Sequence, residues 1–139
     1  MNQPSSRVSN GVLDAIGGTP LVRLNRFLDR PDIELIVKWE AANPGGSAKD
    51  RPAAKMLSEA LSRGEIGPDT TIVESTSGNM GIGLAQACRY HGLKFICVVD
   101  PRAQKQNLAI IEALGGTIEL VSQPLNGDFL AARIAKVCE

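Results

Sequence analysis

The chain has 139 residues, which is enough for one domain with a hydrophobic core of its own. Its 15 basic and 15 acidic residues balance, and hydrophobic residues make up 43% of the sequence, as in ordinary soluble globular proteins. A protein that neutralises many phosphates needs a basic excess, so we expect no nucleic-acid partner. No apolar stretch is long enough for a membrane span and the polar start lacks the apolar run of a signal peptide, so we expect no membrane partner and a cytoplasmic location.

The first forty residues differ from the rest of the chain. Residues 10–20 favour a short helix and a turn that lead into a small strand at residues 21–24. This strand is separated from the later elements, and we expect it to pack elsewhere.

From residue 33 onwards, predicted strands alternate with predicted helices. The strands cover residues 33–39, 71–74, 95–99 and 118–121, and the helices cover residues 51–63, 79–91, 104–114 and 128–137. The first three helices end at Gly64, Gly92 and Gly115, because glycine takes the left-handed conformation at no steric cost. This alternation predicts an α/β fold with a parallel sheet covered by helices on both faces.

The cysteines and the single histidine do not suggest a metal site. Cys88, Cys97 and Cys138 are widely spaced and His91 stands alone, so no metal-ligand spacing is present. We interpret the cysteines as free thiols of a reducing compartment.

Residues 43–52 connect a predicted strand to a predicted helix. Asp50 is a better N-cap than Ser47, because it leaves Pro52 in the first helical turn, where its missing N–H is harmless. With either cap, Lys49 stands at the helix entrance on a strand-to-helix loop, where doubly wound sheets place their ligands.

Lys49 has two interpretations, and a third is excluded. A lysine at a helix N-terminus faces the positive end of the dipole, which favours the neutral amine that forms a Schiff base. A solvated lysine beside a cap is the other interpretation, and position alone favours it. A phosphate-binding P-loop is excluded, because it needs glycine before the lysine and a hydroxyl residue after it, where this chain has Ala48 and Asp50.

Residues 74–83 connect the next strand to its helix. Hydroxyls and backbone N–H groups gather at this helix N-terminus, which is a suitable site for a carboxylate or a phosphate. We expect Gly78, Gly81 and Gly83 to let the helix approach the sheet closely, although their spacing does not match the dinucleotide-binding pattern. A capped helix that packs through small residues is the other interpretation.

Together three segments resemble the N-terminal signatures of the fold-type II pyridoxal-phosphate enzymes, a family that includes cysteine synthase and cystathionine β-synthase. They are IGGTPLV at residues 16–22, NPGGSAKDR at residues 43–51 and TSGN at residues 76–79. Their order and separations are also similar, and the resemblance covers nearly all of the chain. It implies a truncated N-terminal part of such an enzyme, with residues 41–139 as a small α/β domain and residues 1–40 packing on a missing large domain.

The resemblance also implies a role for individual residues. Lys49 would be the Schiff-base lysine that returns as the proton-transfer base, and Asn79 would hydrogen-bond the ring hydroxyl of pyridoxal phosphate. The substrate's α-carboxylate would be bound by a loop that contains Thr76, Ser77, Gly78 and Met80. The resemblance further implies amino-acid substrates, a homodimer, and a cofactor-phosphate loop in the part of the family's chain that lies beyond this sequence.

Two departures from cysteine synthases point to a subgroup. Ser75 stands where those enzymes have proline, and Met80 stands where they have threonine. With residues 98–101 and 133–137, these positions resemble a siderophore-pathway subgroup that joins O-phosphoserine to glutamate on the way to 2,3-diaminopropionate, and Arg133 is the candidate to bind the phosphate. Cysteine synthase activity on O-acetylserine and sulfide is the alternative, and a non-catalytic remnant or interaction module is an alternative of another class.

Overall fold

A computed structural model describes residues 8–139 of the chain. Two short 3-10 helices lie at Val12–Ala15 and Glu40–Ala42. The strands are β1 (Leu21–Arg23), β2 (Ile36–Lys38), β3 (Thr71–Ser75), β4 (Lys94–Val99) and β5 (Thr117–Leu120). The helices are α1 (Asp50–Ser62), α2 (Asn79–His91), α3 (Lys105–Ala113) and α4 (Phe129–Val137).

The predicted parallel sheet is confirmed, with three strands in the order β3-β4-β5. Ser75 is paired with Val98, and Val99 is paired with Leu120, so the carboxyl ends of the strands meet at one edge. The loop after β3 and Asp100 after β4 therefore lie at the edge where parallel sheets bind ligands.

The core lies between this sheet and α2. Alternate residues of β4 point to opposite faces of the sheet, and Phe95, Cys97 and Val99 join the cluster that contains Ile111 of α3. Residues 81–88 of α2 are all buried. On the other face, Ile96 and Val98 lie beside Val137 of α4, so helices flank both faces.

The predicted strand at residues 33–39 is wrong in length and in partner. Only Ile36–Lys38 forms a strand, and it pairs antiparallel with β1 in a separate two-stranded sheet. All three residues of β1 are exposed, whereas the strands of a parallel sheet are buried on both faces. The β1–β2 sheet agrees with the expectation that the first small strand packs away from the main alternation, and the domain boundary near residue 40 stays a prediction.

The predicted helix bounds agree with the structure to within one residue. Gly64, Gly92 and Gly115 follow the first three helices with φ of 70°, 71° and 90°, which confirms their left-handed conformation. Asp128 caps α4 by accepting a hydrogen bond from the N–H of Leu130 at 2.8 Å. None of the helices within residues 8–139 has the length and apolarity that a membrane span needs.

Candidate active site

Lys49 is exposed at the N-cap position of α1, immediately before the first helical residue. The prediction that Asp50 caps this helix is wrong. Its side chain turns back instead to accept a hydrogen bond from the N–H of Gly45, and it is fully buried. Ser47 accepts from the N–H of Lys49 at 3.2 Å, so the chain around Lys49 is held on both sides by its own loop.

Helix packing, rather than a sheet edge, brings Lys49 towards the segment at residues 74–83. The strand before α1 is β2, which lies outside the parallel sheet, so the prediction that Lys49 follows a strand of that sheet is wrong. A Cβ placed on Gly83 of α2 would lie 3.0 Å from the Lys49 carbonyl oxygen and 3.0 Å from Cβ of Ala53. The missing side chain at Gly83 thus lets the first turn of α1 contact α2 one turn after Asn79.

The other two glycines of this motif differ from each other. A Cβ on Gly81 would meet Ile111 Cδ1 at 2.9 Å and Cys97 Sγ at 3.4 Å, which confirms that this glycine lets α2 approach the sheet. Gly78 has open space around it and extended backbone, so the prediction of a close approach is wrong there. Gly83 approaches α1 rather than the sheet.

A polar cluster centred on Glu40 joins the first two signatures. Thr19 donates to the Glu40 carboxylate at 3.2 Å, Arg51 pairs with it at 2.6 Å, and Asn43 donates to it at 2.9 Å. The Asn43 side chain also accepts from the N–H of Gly17 at 2.9 Å. The Arg51 guanidinium holds the pKa of Glu40 below its ordinary value. This cluster, which sequence reasoning did not find, fixes the ends of the loop that carries Lys49.

The loop after β3 turns its carbonyl groups into the protein. Cys97 donates to the carbonyl of Thr76, Asn107 donates to that of Ser77 at 3.0 Å, and the carbonyl of Gly78 accepts from the N–H of Gly81 at 2.9 Å. Burial raises the pKa of the Cys97 thiol to about 11, so the thiol keeps its proton at neutral pH and can donate.

The N–H groups of this loop are left without partners. Within residues 8–139, the N–H groups of residues 77–80 bond to no carbonyl or side chain, as is usual for the first N–H groups of a helix. Asn79 is exposed as the first residue of α2. Such an array of N–H groups at the positive end of a helix dipole attracts a carboxylate or a phosphate.

Arg133 lies on α4 and contacts Asp100 at the carboxyl edge of β4. Its Nε stands 3.3 Å from Asp100 Oδ2, and only 13% of its side chain is exposed, so it is not a solvated surface arginine. Arg102 donates to both oxygens of Asp100, from Nε and from Nη2, each at 3.0 Å. Arg102 holds the pKa of Asp100 down at about 2. The terminal nitrogens of Arg133 form no ion pair or hydrogen bond with any residue that the structure describes.

The sequence matches the family model described as "Pyridoxal-phosphate dependent enzyme" over residues 12–139. Three solved structures are also similar over almost the whole chain. A hydrogen sulfide-producing enzyme from Fusobacterium nucleatum is 38% identical, with a TM-score of 0.88 over 97% of this chain and 43% of that one. A cysteine synthase from Entamoeba histolytica is 31% identical, with a TM-score of 0.89 over 99% of this chain and 41% of that one. An O-acetylserine dependent cystathionine β-synthase from Helicobacter pylori is 32% identical, with a TM-score of 0.82 over 95% of this chain and 43% of that one.

The chain belongs to the family of pyridoxal-phosphate dependent enzymes, with neighbours of the cysteine synthase type. It spans about two fifths of the length of the solved relatives. The residues present fit the cofactor, because the exposed Lys49, the exposed Asn79 and the free N–H groups face no competing partner among residues 8–139. The sequence indicated these residues through their motifs, whereas Glu40 and Asn107 lie in no motif and Asp100 lies only in the subgroup-like residues 98–101.

Proposed function

We propose that the whole protein catalyses a pyridoxal-phosphate dependent β-replacement on O-phosphoserine, with glutamate as the nucleophile. The observation that carries the binding of an amino-acid substrate beside Lys49 is the row of unpartnered N–H groups at residues 77–80, one helical turn from the contact between Gly83 and the Lys49 backbone. When bound, the cofactor supplies an electron sink at the α-carbon of the substrate. The product class, an N-linked diamino acid, suits diaminopropionate and siderophore biosynthesis.

In this proposal each residue of the candidate site has a separate role. Lys49 would hold the cofactor through Nζ until the substrate amine displaces it, and the freed Nζ would then take the α-proton and return it at the end. The loop of Thr76, Ser77, Gly78 and Met80 orients the α-carboxylate, and Asn79 contacts the cofactor ring. The bond between Cβ and the phosphate oxygen would break and phosphate would leave. The glutamate amine nitrogen would then form a new bond to Cβ and release one proton to solvent.

Arg133 supports the choice of a phosphorylated substrate. Phosphate leaves as a multiply charged anion, and a guanidinium matches it through two parallel N–H groups. Arg133 Nε lies 3.3 Å from Asp100 without a hydrogen bond to it, and Arg102 binds both Asp100 oxygens, so the terminal nitrogens of Arg133 are available. Acetate carries a single charge and gains less from such a group.

The experiment compares leaving groups in the whole protein loaded with pyridoxal phosphate. We expect phosphate release from O-phosphoserine in the presence of glutamate to exceed acetate release from O-acetylserine in the presence of sulfide. Arg133→Ala should weaken the use of O-phosphoserine by roughly 2–3 kcal/mol in kcat/KM, because a charge-assisted contact is lost. Lys136→Ala on the same helix, which removes a cation 39% exposed at the surface, is the matched control.

The second candidate is a cysteine synthase that uses O-acetylserine and sulfide, and the similarity to the two synthases above favours it. Preference for those substrates, with Arg133→Ala unchanged, would contradict the O-phosphoserine proposal. Failure of the whole protein to take up pyridoxal phosphate would favour the non-catalytic module instead. We also propose a homodimer in the cytoplasm, which sedimentation and cell fractionation would test.

A further inference from the structure

Asn107 connects α3 to the loop that precedes α2. It is half-buried in the first turn of α3, and its Nδ2 donates to the carbonyl oxygen of Ser77 at 3.0 Å. We propose that Asn107 is a positioning residue that holds the N–H of Gly78 towards the α-carboxylate of the amino-acid substrate. This inference rests on the proposed function, since it names the group that the oriented N–H serves.

Peptide geometry makes this contact directional. The carbonyl of Ser77 and the N–H of Gly78 belong to one planar trans peptide unit and point to opposite sides of it. A carbonyl fixed towards α3 therefore fixes the next N–H away from α3. Cys97 fixes the peptide unit between Thr76 and Ser77 by donating to the Thr76 carbonyl. The N–H of Gly81 fixes the unit that follows Gly78 by donating to the Gly78 carbonyl.

Asn107 controls the unit that has most freedom to turn. Gly78 has open space around it and no Cβ, so its own backbone does not resist rotation of the peptide before it. The units on either side are held by a buried strand residue and by the first turn of α2. Without the amide of Asn107, the Ser77 carbonyl can turn towards the site and present a negative dipole to the carboxylate.

The test uses two substitutions in the whole protein loaded with pyridoxal phosphate. Asn107→Leu removes the donor, and Asn107→Asp places an acceptor of the same shape against the carbonyl. Gln106→Leu is the matched control, because Gln106 is the exposed neighbour on the same helix. The first measurement is hydrogen exchange without substrate at the Gly81 amide, which is bonded to the Gly78 carbonyl at 2.9 Å and so reports how firmly the loop is held. The second is the affinity for L-alanine, which has an α-carboxylate but no leaving group.

We expect faster exchange at Gly81 and about tenfold weaker binding of L-alanine in both Asn107 variants, with the weaker binding in Asn107→Asp. KM for the amino acid should rise with little change in kcat, and uptake of the cofactor should match the control. Unchanged exchange in both variants overturns the role of Asn107. If exchange is faster in the Asn107 variants but the unchanged protein binds no L-alanine, Asn107 positions the loop and the proposed function is wrong.

Discussion

Lys49 differs from its neighbours on α1 in what surrounds its amine. Lys55 pairs with Glu59 at 2.9 Å, whereas the Lys49 amine forms no ion pair within residues 8–139. Its backbone is held by Ser47 and lies against Gly83, so the amine extends from a fixed point. A fixed backbone with a free amine is suited to covalent attachment of an aldehyde cofactor.

The prediction at this position concerns labelling. Borohydride reduction of the whole protein with pyridoxal phosphate bound should fix the cofactor on Lys49, and a peptide map should find the label there. Lys49→Arg keeps the positive charge but cannot form the covalent link, so its label should disappear, whereas Lys55→Arg should label normally. A label on Lys55, or on no lysine, would contradict the assignment.

Asp100 is a buried carboxylate at the candidate site, and its pKa is lowered from an ordinary 3.8 to about 2. The hydrogen bond from Arg102 is the main cause, and Arg133 adds to it. Because the folded pKa is lowered, the carboxylate stabilises the fold above about pH 4, and this contribution is lost as the pH falls towards 2.

Acid unfolding should therefore depend on Asp100. In urea titrations between pH 5 and pH 2.5, we expect the free energy of unfolding of Asp100→Asn to fall less steeply than that of the unchanged protein. Asp69→Asn, in an exposed turn before β3, is the control and should keep the original slope. Equal slopes for the unchanged protein and Asp100→Asn would show that the ion pairs of Asp100 add nothing to the fold.

At the scale of elements, the site depends on how closely α1 approaches α2. Gly83 lies against the backbone of Lys49 and against Ala53, both within 3.0 Å of where a Cβ would be. Neighbouring backbone cannot rotate away as the end of a flexible side chain can. The separation of the two helices is therefore set at this glycine, and so is the distance between Lys49 and the loop after β3.

Gly83→Val should push the two helices apart. We expect the free energy of unfolding to fall by roughly 1–3 kcal/mol from overpacking, and borohydride labelling of Lys49 in the whole protein to decrease. Gly67→Val is the control, since Gly67 has open space around it and should tolerate the side chain. A stable Gly83→Val protein with full labelling would mean that the helix contact does not position Lys49.

Across the whole molecule, the sequence predicted the parts that depend on local pattern. The apolar run at β4 and the glycine after α2 are strong signals, and both elements occur where predicted. The partner of β2 was missed because a three-residue strand with two exposed residues gives no indication of which strand it pairs with. The Asp50 side chain was misassigned because its bond to Gly45 depends on the fold of the whole loop, and Asn107 meets Ser77 only through tertiary contact.

The last prediction concerns the 139 residues as an isolated chain. The solved relatives are more than twice as long, and the family resemblance assigns the cofactor-phosphate loop to the part beyond this sequence. Each charge-assisted hydrogen bond of such a loop contributes roughly 1.5–3 kcal/mol, so we expect this chain to take up pyridoxal phosphate weakly and slowly, as any exposed lysine does. Lys49→Arg in the same chain should then give nearly the same visible absorption on titration. A saturable band at micromolar cofactor that disappears in Lys49→Arg would show instead that α1, α2 and the loop between β3 and α2 hold the cofactor by themselves.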